Sequence, residues 1–417
     1  MLTREQNDLL TRVSGPAPMG QLLRRYWHPV AGAAELDDQP IKPVRLFGED
    51  LVLYRDLSGN HGLIDRHCPH RRADLAYGFV EPDGLRCSYH GWAMNAAGAV
   101  TSVPYDDIVL PAHRLKQACS IAAYPVRELA GMLWAYMGPL PAPELPVWEH
   151  FARDNGFCEV VLSDIPCNWL QCQENSIDPV HFEWLHENWP QRLKGASASS
   201  AARHTKVEFD EFEFGLTYRR LREGMNESDE MWTIGRVCLW PNGFYLGDHI
   251  EWRVPIDDEN TLSVSWFYTR VPQESEPYVQ ERIPAWHSPI RDEAGRWITS
   301  HVINQDIVGW VGQGTIADRT RETLSASDKG IAMLRRRLQR DLAAIERGED
   351  PSGLIRDPER AARVPLPNAN AHYLAAIPRA EWLAHPFLSR RAAGNPWAAG
   401  QPDAVRLAYL RAMGFAG

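Results

Sequence analysis

The chain has 417 residues, 44% of them hydrophobic and 24% charged, with no low-complexity tract and no repeat of fixed period, which excludes a disordered chain and exceeds the usual size of a single core. Its 44 Lys and Arg against 54 Asp and Glu give a formal charge of −10, so nucleic acid and an anionic membrane are not expected as main partners, whereas a basic electron-transfer partner would be tolerated. The opening MLTREQNDLLTRV is charged throughout and no stretch reaches the length of a membrane span, so a cytoplasmic location is expected.

Residues 1–27 read as a helical arm: an amphipathic helix, a break at Gly15-Pro16-Ala17-Pro18, and a short helix through Leu22 and Tyr26. From His28 to about Gly138 the pattern changes to short strands between turns, such as Val44 to Leu46, Leu51 to Tyr54, Ala99 to Val103 and Met132 to Tyr136, which predicts an all-β module. The run Pro139-Leu-Pro-Ala-Pro-Glu-Leu-Pro146 suits neither a helix nor a central strand and places a boundary there. Three parts follow: 1–27, 28–146 and 147–417. In the last, helical signals at about 167–188 and 328–347 flank a strand-rich centre with alternating runs such as Lys206 to Phe214 and Thr261 to Thr269. The prediction there is an α+β unit with a central antiparallel sheet flanked by helices. Its long helix puts Ile331, Leu334, Leu338, Leu342 and Ile345 on one face, with a capping-box start at Ser325 to Asp328.

The seven cysteines are odd in number and mostly isolated, unlike a disulfide framework. Cys119, Cys158, Cys167, Cys172 and Cys238 read as small core side chains. Cys68 and Cys87 differ, because each has a histidine at ligand spacing: Cys68-x-His70 and Cys87-x-x-His90. Two thiolates and two imidazoles suit either a structural zinc or a [2Fe–2S] cluster with both cysteines on one iron and both histidines on the other. One Cys and one His per loop, in segments rich in strand and Gly-bearing turn, favours the cluster over a zinc finger, which groups its two histidines. His67 is read as a bystander.

The segments CPHRRADLAYG and LRCSYHGW resemble the Rieske motif of ring-hydroxylating oxygenases. The resemblance implies Cys68, His70, Cys87 and His90 as cluster ligands in an all-β Rieske domain.

A Rieske module would also suit an electron carrier without oxygenase activity, so the rest of the chain decides. Between Asn168 and His186 the sequence gathers His181, His186 and several carboxylates, the ligand types of the facial triad of non-haem Fe(II) oxygenases. Asp178-Pro179 is a good start for a helical turn carrying His181. His186 lies five residues on, about 140° around a regular helix, so the helix is expected to distort or end between them.

This run resembles the family motif Asp-x-x-His-x-x-x-x-His at Asp178, His181 and His186. The resemblance implies that Asp178 links His181 to His90 of a neighbouring subunit, hence a homo-oligomer, either a trimer or stacked trimers, and Asn175 is a further catalytic candidate beside it. It places the third iron ligand in a downstream Gln-Asp or Glu-Asp pair, which Asn304-Gln305-Asp306 matches; Asp318, Glu174 and Glu183 compete. NQDIVGWVGQGTIADRTRETLSASDKG and the N-terminal MLTREQNDLLTRV…PMGQLLRRYWHPV resemble the phthalate-dioxygenase-like branch, which implies oxidation of a small aromatic carboxylate by O₂, with electrons from a separate reductase and, in some systems, a ferredoxin. Either O-demethylation of a methoxylated, lignin-derived acid or ring cis-dihydroxylation fits, with a lean to the former. Such a substrate needs a cation or polar donors in an apolar pocket, and the strand-rich centre offers Arg253, His249 and His204 first, with Arg219, Arg222 and Arg236 behind them.

Overall fold

In the computed structural model, which describes residues 1–385 and 388–415, the chain opens with two short helices, Arg4–Thr11 and Pro18–Leu23. Thr3 and Gln6 form a capping box on the first. A Cβ on Gly20 would lie 2.0 Å from the Val13 carbonyl oxygen, so only glycine permits this approach. Both helices give side chains to the main core, among them Leu10, Met19, Leu22 and Leu23. The Asn168 amide, far along the chain, donates to the Thr11 carbonyl at 2.9 Å.

The next strands are β1 (Trp27–Gly32), β2 (Ile41–Leu46), β3 (Glu49–Arg55), β4 (His61–Asp65), β5 (Phe79–Glu81) and β6 (Gly84–Arg86). They are followed by β7 (Ala93–Met94), β8 (Val100–Ser102), β9 (Ala123–Tyr124), β10 (Val126–Leu129) and β11 (Met132–Tyr136). Sheets of order β2-β3-β4-β9 and β5-β6-β7-β8 enclose a small core of Val52, Tyr54, Ile64, Leu85, Trp92 and Met94, into which Cys68 and Cys87 also project. The third sheet, β1-β11-β10, leans on the second half of the chain instead, with Trp134 edge-on to Trp252 at 5.0 Å. Residues 139–146 are without regular structure, and the Glu144 amide donates to the Ile355 carbonyl at 2.8 Å.

The second half is built on one eight-stranded sheet of order β13-β14-β15-β16-β17-β18-β12-β19. Its strands are β12 (Gly156–Ile165), β13 (His204–Phe212), β14 (Gly215–Arg222), β15 (Arg236–Leu239), β16 (Gly243–Tyr245), β17 (His249–Pro255), β18 (Thr261–Arg270) and β19 (Ala285–His287). The pairing is antiparallel throughout, as expected, except that the short edge strand β19 runs parallel to β12. β17 is buried at every position and β18 at all but its last, because sheet and helix layers cover both their faces.

Three helices carry or support the candidate site. Trp169–Asn175 starts at Asn168, whose side chain accepts from the Leu170 amide. Val302–Val311 packs beside it, and the long Lys329–Glu346 follows the expected capping box at Ser325 and Asp328. Leu334 and Leu338 of that helix are fully buried, as its apolar stripe requires. A later helix, Asp403–Ala412, lies outside the expected elements and packs Tyr409 and Ala412 against Phe157 and Trp382.

Candidate active site

Cys68 and His70 sit on the loop after β4, and Cys87 and His90 on the loop joining β6 to β7. The two loops share one hydrogen-bond pattern. The Cys68 amide donates to the Ala73 carbonyl and the Arg72 amide donates back to Cys68; likewise the Cys87 amide donates to Trp92 and the Gly91 amide to Cys87. The fourth residue after each cysteine turns left-handed, Arg72 at φ +60 and Gly91 at φ +73. An ion pair from Arg66 to Asp74, at 2.6 Å, braces the first loop.

The loops face each other with the thiols inside and the imidazoles outside. Cys68 and Cys87 are buried, while His70 and His90 are exposed with ring centroids 4.6 Å apart. Burial, and then the neighbouring Cys87, push the Cys68 thiol up to about 11, although the His70 and Arg71 amides donate toward its sulfur. The Tyr89 amide lies 3.5 Å from the Cys87 sulfur. Neither imidazole has a hydrogen-bond partner among the described residues, and His70 lies flat on Trp92 at 4.9 Å. Two buried thiols served by amide donors, beside two unengaged imidazoles, fit a cluster with unlike ligands on its two irons.

The second constellation depends on a change of helix type. Asp178 accepts from the Val180 amide, and from Phe182 to Asn188 the chain winds as a π-helix. Its i→i+5 bonding stacks residues five apart, so His181 and His186 share a face that an α-helix would deny them. This is the distortion that the spacing called for. Asp306, on the Val302–Val311 helix, completes a set whose ligand atoms all lie within 4.8 Å of one another. Its Oδ1 is 3.5 Å from His181 Nε2 and 3.1 Å from His186 Nε2. An ion held facially by bonds of about 2.1 Å would space its ligands about 3 Å apart, so the three side chains fit a mononuclear metal.

The surrounding residues fix these ligands. Gln305 spends its amide nitrogen on the Thr299 carbonyl at 2.9 Å, so its oxygen faces His186 Nδ1, also at 2.9 Å. His186 therefore donates through Nδ1 and presents Nε2 to Asp306. The Asn175 amide donates to Asp306 Oδ1 at 3.3 Å. Asp178 Oδ2 stands 3.7 Å from His181 Nδ1, longer than a hydrogen bond. Burial depresses the His186 imidazole, but the charge and hydrogen bond of Asp306 outweigh it and the net direction is upward. Burial raises Asp178, and contact with His181 outweighs it, so that carboxyl ends below its ordinary range. The competing carboxylates are used elsewhere: Glu174 by Arg319 and Arg335, Glu183 by His204, and Asp318 by Thr320 on the exposed surface.

The triad lies in the wall of a cavity of about 300 Å³. Arg253 and His249 line it, but within a closed chain of charges. His249 stands between Asp248 at 2.9 Å and Glu251 at 3.0 Å, and Arg253 pairs with Glu251. His204 is outside the lining, bonded to Glu183 at 3.0 Å. Arg219 pairs with Asp210 and Arg222 with Glu187. Arg236 is different: it lines the cavity, has no carboxylate partner among the described residues, and its buried Nε lacks a hydrogen-bond acceptor. Burial first, and then Arg236, press the neighbouring Arg220 down to about 9. Sequence pattern ranks Arg236 with the other arginines, because it cannot say which have carboxylates across the sheet. A second hollow of about 610 Å³ opens on the far side of Asp178 and His181, with Trp184 at its rim.

Comparison with known proteins agrees with this geometry. The family described as "Rieske [2Fe-2S] domain" matches residues 26–117, and "LigXa C-terminal domain like" matches residues 247–382. The chain is 61% identical to the 5,5'-dehydrodivanillate O-demethylase oxygenase subunit of Sphingobium sp. (strain NBRC 103272 / SYK-6), over 88% of this chain and 87% of that one. It is 35% identical to the phthalate 4,5-dioxygenase oxygenase subunit of Pseudomonas putida, over 85% and 89%. Among solved structures, the oxygenase in an oxygenase and ferredoxin complex of carbazole 1,9a-dioxygenase shares the fold at a TM-score of 0.52 and 18% identity, covering 80% of this chain and 95% of that one.

Proposed function

Since the chain belongs to the Rieske non-haem iron oxygenases, as the oxygenase subunit, we propose that it demethylates a methoxylated, lignin-derived aromatic acid by O₂-dependent hydroxylation of the methoxy carbon. The observation that carries this reading is the convergence of His181, His186 and Asp306 on a cavity lined by Arg236, a buried-Nε cation with no carboxylate partner among the described residues. The identity to a demethylase subunit supports the choice of reaction. A zinc protein and a bare electron carrier fall away with the family assignment.

The cofactors are a [2Fe–2S] Rieske cluster, assigned to Cys68, His70, Cys87 and His90, and a mononuclear iron, assigned to His181, His186 and Asp306. When bound, they supply electron storage and O₂ activation. The residues do the rest. Gln305 keeps the proton on His186 Nδ1, and Asn175 orients Asp306 by donating to its Oδ1. Arg236 takes the substrate carboxylate by a charge-assisted contact, and Phe182, Tyr218, Phe244 and Trp397 enclose the ring. O₂, two electrons and two protons convert the aryl methyl ether to the phenol, formaldehyde and water: once the methoxy carbon is hydroxylated, its bond to the aryl oxygen breaks and the hydroxyl proton ends on the phenol.

Electrons come from a separate reductase, with or without a ferredoxin. We place the chain in the cytoplasm as a trimer or stacked trimers in which Asp178 joins His181 to His90 of a neighbouring copy. Exposed His90 and the hollow beside Asp178 support this arrangement, and among the described residues no helix is long and apolar enough to cross a membrane. The division at residue 146, with the cluster ahead of it and the mononuclear iron behind, belongs to the same reading.

The test is product analysis with methoxylated aromatic acids and a reductant. Formaldehyde with the matching phenol is expected. A dihydrodiol alone would overturn demethylation in favour of ring dihydroxylation, the reading that the phthalate dioxygenase relative favours.

A further inference from the structure

Alternate side chains of β17 share a face, so His249, Glu251 and Arg253 stand together in the wall of the catalytic cavity. All three are almost completely buried, as is Asp248, which lines the same wall just before the strand. The His249 imidazole lies between two carboxylates, with Nδ1 2.9 Å from Asp248 Oδ1 and Nε2 3.0 Å from Glu251 Oε1. Of the elements around it, β18 presents Phe267, the C-terminal segment Trp397, Arg390 and Arg391, and the Val302–Val311 helix Asp306.

An ionised carboxylate accepts hydrogen bonds and donates none, so the state of the two acids decides where the protons are. Arg253 pairs with Glu251, and Arg391 with Asp248. Burial raises Glu251, but Arg253 and His249 outweigh it and hold that carboxyl down at about 2. With both acids ionised, each ring nitrogen of His249 brings its own proton, and the ring is an imidazolium. Among the described residues the rest of the wall offers no equal source of protons. Guanidinium groups keep theirs, His181, His186 and Asp306 are assigned to the iron, and Glu187 is paired with Arg222. Tyr218 is a phenol, by class a weaker acid than an imidazolium.

Resting on the demethylase reading, we propose that His249 stores one of the two protons consumed in each turnover and delivers it, through Glu251, to the oxygen atom that leaves as water. In that step the Nε2–H bond breaks, Glu251 Oε1 takes the proton, and Glu251 releases it as the new O–H bond forms. His249 is left neutral, its remaining proton on Nδ1 and held by Asp248. No electron moves in this transfer. The two electrons arrive from the reductase, and the second proton comes from solvent. Solvent also refills Nε2, by the same carboxylate, once product has left. The two carboxylates thus keep an acid charged inside a buried wall, where an isolated imidazolium would lose its proton.

Two measurements test this. In enzyme carrying isotopically labelled histidine, with the cluster oxidised and Zn(II) in the mononuclear site, nuclear magnetic resonance reads the protons on the His249 ring, identified by its contacts with Phe267 and Trp397. Two protons are expected at about pH 8; a ring with one would overturn the store, and this readout stands even where a variant fails to fold. In the enzyme with both iron sites filled, single turnover of a methoxybenzoate is followed from about pH 6 to 8 for the unsubstituted chain, His249→Gln and Glu251→Gln. The unsubstituted rate should be flat with pH. Both variants should keep their calorimetric affinity for the methoxybenzoate, turn over about 100-fold more slowly and lose about tenfold more per pH unit as solvent protons become scarce. Lost affinity at an unchanged rate would make His249 a holder of the substrate carboxylate, and variant profiles as flat as the unsubstituted one would equally overturn the relay. A dihydrodiol in place of formaldehyde, with the doubly protonated ring and the contrast in pH profile intact, would remove demethylation and leave the relay, because ring dihydroxylation also consumes two protons.

Discussion

His186 Nδ1 donates to Gln305, whose own nitrogen is committed to the Thr299 carbonyl, and these two bonds decide which imidazole nitrogen faces Asp306. Gln305→Leu should therefore weaken Fe(II) binding at the triad by about 10–100-fold while the cluster's absorption is unchanged, as iron titration of the mononuclear site would record. Asp306 raises the His186 imidazole in the metal-free chain, so a proton must leave when the metal binds. Affinity should climb with pH through that raised value and fall as the solution is acidified; a flat titration between about pH 6 and 8 would contradict it. Asp178→Asn should stop turnover and leave the cluster's electron paramagnetic resonance signal in place, whereas loss of both would assign Asp178 a structural role. At this scale the sequence was most readable. The spacing of Cys68, His70, Cys87, His90, His181 and His186 singled out side chains that the structure brings together in two places, and the resemblance pointed to Asp306 through its Gln-Asp pair. Arg236 was not readable as the unpaired arginine of the cavity wall, because what distinguishes it from Arg219 and Arg222 is that, among the described residues, no acid pairs with it.

The π-helix from Phe182 to Asn188 is the element that turns a five-residue spacing into a shared face, and it follows, after a turn over residues 176–181, a helix anchored at Glu174. The Glu174 carboxylate receives Arg319 at 2.7 Å and Arg335 at 2.7 Å, tying the Trp169–Asn175 helix to the long Lys329–Glu346 helix. Removing one member of a buried, hydrogen-bonded ion cluster leaves its partners uncompensated. Glu174→Ala should cost about 3–5 kcal/mol in denaturant melts and loosen Asn175 and the iron ligands after it. A loss within about 0.5 kcal/mol, the range of ordinary surface changes, would mean that the cluster relaxes without strain. Elements were legible where one face is wet. The Lys329–Glu346 helix shows its apolar stripe, and the exposed side of β13 shows in its charges. β17 and β18 are buried on both faces, so their sequences could not say which side chains meet the cavity.

Over the whole molecule, two buried histidines contribute to the response to acid, alongside carboxylates, such as Glu35 and Glu251, that burial raises but ion pairs hold low. Burial holds His28 down to about 4 and His150 down to about 2, against ordinary values near 6.5. The unfolded chain binds these protons first, so stability falls as pH drops below about 6.5, continuing to about 4 for His28 and further for His150, at up to roughly 1.4 kcal/mol per pH unit for each group. Thermal melts from neutral to acid pH should show this loss, and His150→Gln should flatten part of it; an unchanged slope would mean that other groups govern acid unfolding. The two-part organisation was visible from the strand and helix patterns, but the packing of β1 and β11 against the larger half was not, because it depends on Trp134 meeting Trp252 far along the chain. The most direct test of the account is the product balance of a single turnover: the pre-reduced oxygenase, without reductase, mixed with O₂ and a methoxylated aromatic acid. Formaldehyde and phenol in equal amounts, and none from Asp306→Ala, is the expected result; a dihydrodiol, or formaldehyde persisting in Asp306→Ala, would contradict it.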